Sequence, residues 1–149
     1  VAASPQAAAE RWPRPGLTVD VVLLAGDPVA SVLLIQRAHE PFAGAWALPG
    51  GFVEEGERIY DAALRELAEE TAIATDSLAL LGVYDTPGRD PRGWTVSITY
   101  FRRLAEALAA HGGDDASQAR WFALDTLPAL AFDHAAIIAD AIASARGSR

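Results

Sequence analysis

The sequence contains no cysteine. Disulfides, thiolate zinc sites and cysteine nucleophiles are therefore excluded, and the chain is compatible with the cytosol. It also lacks lysine, so all 12 basic side chains are arginine. Any protein contact to phosphate must then come from guanidinium forks or from metal ions. Positive charge is scarce overall: the formal net charge is -8. That balance argues against binding to nucleic-acid backbones or anionic lipid, both of which need a basic surface. It leaves open a polyanionic small molecule whose charge is met locally by metal. No apolar run reaches the roughly 18 residues of a membrane span. The alanine cluster at the N-terminus is interrupted by Pro5, Glu10 and Arg11, and it lacks the basic start and apolar stretch of a signal peptide. Residues 1–16 read as a tail or arm.

What remains is a folding sequence of single-domain length. Residues 17–25 (LTVDVVLLA) and 31–37 (SVLLIQR) read as strands joined at Gly26-Asp27-Pro28, a hairpin pattern. Residues 39–52 are a loop punctuated by glycine and proline, with Phe42 and Trp46 as apolar anchors. Helical spacing covers 58–71, and strands are expected at 77–84, 95–104 and 118–124. A closing amphipathic helix is expected over 132–145, with Ile137, Ile138 and Ile142 inward. Residues 104–111 fit either a short helix or a continuing strand. The fold class is α+β, a mixed sheet with helices packed outside, in one domain over 17–146.

The stretch RELAEETAI, Arg65 to Ile73, places Glu66 beside Glu69 and Glu70 on one helical face. Leu64, Leu67, Ala68 and Thr71 supply an apolar stripe on another face. Like charges at this spacing destabilise a helix by a few tenths of a kcal/mol per pair. They are either a solvated surface or a hard-cation site, since clustered carboxylates suit Mg²⁺ or Mn²⁺. The wider pattern decides between them. Gly51 precedes Glu57 by six residues, and Glu57 precedes Arg65 by eight. The whole resembles the Nudix hydrolase signature G-x5-E-x7-R-E-U-x-E-E-x-G-U, where U is apolar. Six of its seven fixed positions match, which chance supplies on the order of 10⁻⁷ per starting position. The departure is Ala72 in place of the second glycine. A glycine there serves a left-handed backbone, so Ala72 either carries that strain or lets the helix run on.

The resemblance implies a Nudix fold, with the mixed sheet sandwiched between helices (α/β/α), and a set of roles. Glu66 and Glu70 are expected as principal metal ligands, with Glu69 as a further ligand or as the base. The Gly50 carbonyl is expected as another ligand, and Arg65 with Glu57 as the ion pair that orients the acids. The implied cofactor is Mg²⁺ or Mn²⁺. The implied reaction is hydrolysis of a phosphoanhydride, with Glu69, Asp114 or Asp115 as the proton acceptor. Residues 86–94 (TPGRDPRGW), with HEPFAGAWALPGGF, ARWF and AFDH, look like the ADP-ribose pyrophosphatase branch of that family. On that resemblance the substrate is ADP-ribose, split to AMP and ribose 5-phosphate. Arg37, Arg89 and Arg92 are candidates for phosphate or ribose contacts, and Trp46, Tyr84 or Trp94 for stacking on adenine. His134 reads as a structural hydrogen-bonding residue. Alternatives are a nucleoside triphosphate or another nucleotide sugar as substrate, or a non-catalytic ADP-ribose-sensing module. Sensors of that kind fuse the domain to a DNA-binding winged helix, for which this chain reads as too short and too acidic. The resemblance favours a homodimer.

Overall fold

The computed structural model describes residues 12–113 and 116–147. Most of the expected arm, residues 1–11, and the candidate bases Asp114 and Asp115 lie outside them. Seven strands form one mixed sheet: β1 (Gly16–Ala25), β2 (Ser31–Arg37), β3 (Trp46–Ala47), β4 (Gly50–Phe52), β5 (Ala79–Tyr84), β6 (Thr95–Leu104) and β7 (Ala116–Ala123). Among the described residues two helices cover it, α1 (Ile59–Thr71) and α2 (His134–Gly147). No helix among the described residues is long and apolar enough to cross a membrane.

The strand period of two explains the sandwich. Along β1, Val19, Val21 and Leu23 join a core with Ala62, Ala63 and Leu67 of α1. The alternating residues Val22 and Leu24 join a second core with Ile137, Ile138 and Ala141 of α2. The apolar run of β1 is thus buried on both faces, and the α/β/α arrangement expected from the sequence is what the chain adopts.

The expected β1–β2 hairpin is only partly made. The two strands pair antiparallel at Leu24–Val32 and Ala25–Ser31 beside the turn. Beyond that point they diverge, and β1 takes β6 as its main partner, in parallel from Gly16–Thr95 to Ala25–Leu104. The opening between β1 and β2 is filled from the segment read as loop. There β3 adds to β2 and β4 adds to β1, so residues 46–52 descend into the sheet. This places Gly50 and Gly51 opposite Asp20 and Val19, at the floor of a cleft.

Residues 105–113 form neither helix nor strand. In α1 the buried face is turned from the expected stripe: Ala63, Leu67, Glu70 and Thr71 are buried, while Ala68 is exposed. The carboxylate on the buried face, Glu70, accepts from the Gly50 N–H of β4, and Glu66 beside it lies against Gly51.

Candidate active site

The cleft has a volume of about 460 Å³. It is lined by Glu66 and Glu70 of α1, by Gly50, Gly51 and Phe52 of β4, and by Arg37, Arg92 and Phe132, with buried Asp20 and His134 among them. Two glycines allow the acids their position. A Cβ on Gly51 would lie 2.5 Å from Glu66 Oε1, and one on Gly50 would lie 2.1 Å from the Val19 carbonyl. A side chain at Gly50 would collide with backbone, and one at Gly51 would displace the Glu66 carboxylate.

Arg65 gathers the acids. Its Nε donates to Glu57 Oε2 at 2.7 Å and its Nη2 to Glu57 Oε1 at 3.0 Å, a bidentate fork. Its Nη1 donates to Glu66 at 2.8 Å and to Glu69 at 3.1 Å. Its Nη2 also reaches the Phe52 carbonyl at 3.2 Å, fastening α1 to β4. Hydrogen bonding from Arg65, aided by the Glu54 backbone, holds the Glu57 carboxyl below its usual range. Glu70 behaves in the opposite way. Burial first, then the hydrogen bond and charge of Glu66, with Asp20 adding to them, push its carboxyl up to about 9 against the pull of the Gly50 N–H. Two acids are pressed together in a dry site that favours neutralising one of them.

That donor set fits a hard divalent cation. It is built of carboxylate and backbone oxygen, its excess negative charge is relieved by a cation, and the glycines let backbone approach closely. Among the described residues no cage of three or more acids is assembled around one point. Glu66 and Glu69 are instead turned onto Arg65.

The other expected residues divide into two groups. Arg37 and Arg92 line the cleft. Arg92 Nη2 is paired to buried Asp90 at 2.8 Å, and its guanidinium lies 5.0 Å from the Phe52 ring centre. Arg89 lines the cleft too but is committed to the protein: its Nε and Nη2 grip Asp133 at 2.9 and 2.8 Å, with its side chain 5% exposed. Trp46 and Tyr84 are not brought to the cleft. Trp46 packs edge-on against Phe122, with ring centres 4.6 Å apart. The Tyr84 hydroxyl donates to Asp140 at 2.8 Å. Trp94 is exposed outside the cleft lining.

Sequence reasoning passed over Asp20, although it read His134 as a structural hydrogen-bonding residue, which the structure shows it to be. Asp20 is buried in the middle of β1, where it accepts from Ser97 Oγ at 2.6 Å. His134 Nδ1 accepts the Leu48 N–H at 2.9 Å, which turns Nε2 toward Asp20 Oδ1 at 3.4 Å. Burial raises the Asp20 carboxyl, but His134, Ser97 and Arg89 outweigh it, leaving a net shift below the usual range. The sequence signal was there: a lone aspartate inside an apolar strand must find buried partners. Phe52, Phe132 and Glu54 were also missed as cleft residues, because nothing in their spacing sets them apart from core or loop.

Comparison with known proteins agrees with this geometry. The pattern of the NUDIX domain matches residues 14–143. An ADP-ribose pyrophosphatase of Methanocaldococcus jannaschii is 44% identical over 128 residues, covering 85% of this chain and 72% of that protein. The ADPR-responsive transcriptional repressor NtrR of Acinetobacter baylyi is 34% identical over 137 residues, covering 89% of this chain and 55% of the repressor. Among solved structures, the NUDIX domain of Shewanella oneidensis NrtR complexed with ADP ribose superposes with a TM-score of 0.83 at 34% identity, covering 98% of this chain and 94% of that one. The glycine pair under Glu66, the Arg65–Glu57 fork and the glutamates of α1 therefore sit within a matched domain that spans nearly the whole sequence, and this chain belongs to the NUDIX domain family.

Proposed function

We propose that the chain is a divalent-metal-dependent pyrophosphohydrolase that splits ADP-ribose into AMP and ribose 5-phosphate. The observation that carries this reading is one cleft lined both by oxygen donors, Glu66, Glu70 and Gly50, and by the guanidiniums of Arg37 and Arg92. Glu66, Glu70 and the Gly50 carbonyl would hold the ion, Mg²⁺ or Mn²⁺. When bound, such an ion supplies charge neutralisation and polarisation of phosphoryl oxygens. Arg65 and Glu57 keep the glutamates oriented, and Arg37 and Arg92 orient the diphosphate by charge-assisted hydrogen bonds. A carboxylate takes the proton of the attacking water. Glu69, 41% exposed and held by Arg65, is one candidate for that role, and Asp114 and Asp115 are the others. The 44% identical pyrophosphatase supports the substrate assignment. A nucleotide substrate is consistent with a cytoplasmic site of action and no nucleic-acid partner, and light scattering would report the expected dimer.

The test is phosphoanhydride cleavage with Mg²⁺ across ADP-ribose, NADH, sugar nucleotides and dNTPs. ADP-ribose should be turned over fastest; turnover no faster than that of the dNTPs ends the assignment. A sensing role is the second reading, favoured by the 34% identical repressor. It predicts ADP-ribose binding without cleavage in the same assay.

A further inference from the structure

Phe132 lies between β7 and α2 and lines the cleft, and its φ of 52° is left-handed. A bulky residue there is strained. Such strain persists where the surroundings over-determine it, and it gathers at ligand clamps and active sites. Phe42, in the loop after β2, carries the same feature with φ 61°. Its ring meets Phe132 edge-on, with centres 4.9 Å apart. Onto this braced ring come two guanidiniums: Arg37 at 4.9 Å and Arg92 at 5.5 Å from the ring centre. Each is also tied by an acceptor. Arg37 Nε donates to the Pro41 carbonyl at 2.7 Å, and Arg92 Nη2 donates to Asp90 at 2.8 Å.

We propose that Phe132 is a positioning residue that acts through Arg37 and Arg92, holding both on one ring as a clamp for the diphosphate of a nucleoside diphosphate substrate. This rests on the reading of the cleft as a diphosphate-hydrolysing site. The chemistry favours it. The chain has no lysine, and Arg89, the third arginine of the cleft, is forked onto Asp133 with its side chain 5% exposed, whereas Arg92, forked onto Asp90, keeps its side chain 40% exposed. A ring contact uses the face of a guanidinium, while its donors lie in its plane and suit phosphate oxygens. Two like cations repel when brought to one site; the ring and Asp90 offset that repulsion before substrate arrives. The strained backbone sets where the ring sits, and hence where the two cations meet.

The test compares Phe132→Leu, which removes the ring, with Phe132→Tyr, which keeps it. Steady-state kinetics on ADP-ribose are paired with calorimetric binding of ADP-ribose in the absence of divalent metal. The leucine variant should raise both KM and Kd about tenfold, as expected for losing two ring–cation contacts, with the loss in KM rather than kcat. The tyrosine variant should return both to within about threefold of the parent. A leucine variant with KM and Kd within twofold of the parent, or a tyrosine variant as impaired as leucine, overturns the proposal. Should the leucine variant fail to fold, Phe132→Met, which also lacks a ring, replaces it. If the parent enzyme prefers another nucleoside diphosphate derivative, the ADP-ribose assignment fails, while the same variants measured on that substrate still decide the role of Phe132.

Discussion

At the scale of single residues, Arg89 and Asp20 behave differently from what their residue types suggest. Arg89 belongs to a loop that looked like a substrate contact, yet its fork closes on Asp133 and it lies 3.9 Å from Asp20. Removing one partner of a buried pair leaves the other uncompensated. Arg89→Ala should therefore cost about 3 kcal/mol in stability, read as a fall in the urea midpoint. An unchanged midpoint with a raised KM would return Arg89 to the substrate. Asp20 makes a pH prediction. Its folded-state pKa is depressed, so its stabilisation is present above the unfolded carboxylate value near about 4 and is lost as pH falls through the lower folded value. The Asp20→Asn variant should lose about 2 kcal/mol at pH 7 and show a flatter fall in stability below pH ~4. A parallel fall in both proteins would contradict the account. Asp20 was legible as an anomaly in the sequence, but its partners were not. Ser97 and His134 lie 77 and 114 positions away, and only the parallel β1–β6 pairing and the start of α2 bring them near.

At the scale of elements, α1 was legible because its signature fixes both helix and register, and its end carries a measurable cost. Ala72 keeps the left-handed conformation, φ 61° and ψ 13°, and its N–H donates to the Ala68 carbonyl. The helix therefore stops where a glycine would stop it, with strain instead of extension. Ala72→Gly should relieve roughly 1 kcal/mol, raising Tm by about 3 °C for a chain of this length. A lowered Tm would mean that the lost methyl contacts outweigh the backbone strain. The rotation of the buried face was not legible. Apolarity alone pointed to Leu64 and Ala68, whereas the helix buries Glu70, which finds the Gly50 N–H of β4 as a partner. The short strands β3 and β4 escaped notice for a related reason. With two and three residues they show no period, and they exist only because β1 and β2 diverge.

At the scale of the molecule, the sandwich follows from β1, whose continuous apolar run demands cover on both faces and receives α1 on one and α2 on the other. The family resemblance implied that much. It did not show that the site lies where the sheet splits, with acids from α1 and arginines from β2 and the 86–94 loop lining one cleft. The glutamate motif of the NUDIX domain is local in sequence and was readable. The arginine lining is assembled from distant segments and was read only as separate arginines. The most direct test is the fate of ADP-ribose with Mg²⁺, comparing the parent protein with Glu70→Gln. The account predicts AMP and ribose 5-phosphate from the parent, and a rate more than about 100-fold lower from the variant, since loss of groups that merely support metal ligands already costs 10–100-fold. The circular dichroism spectrum of the variant should be unchanged. No AMP from the parent, or equal rates from both proteins, would contradict it.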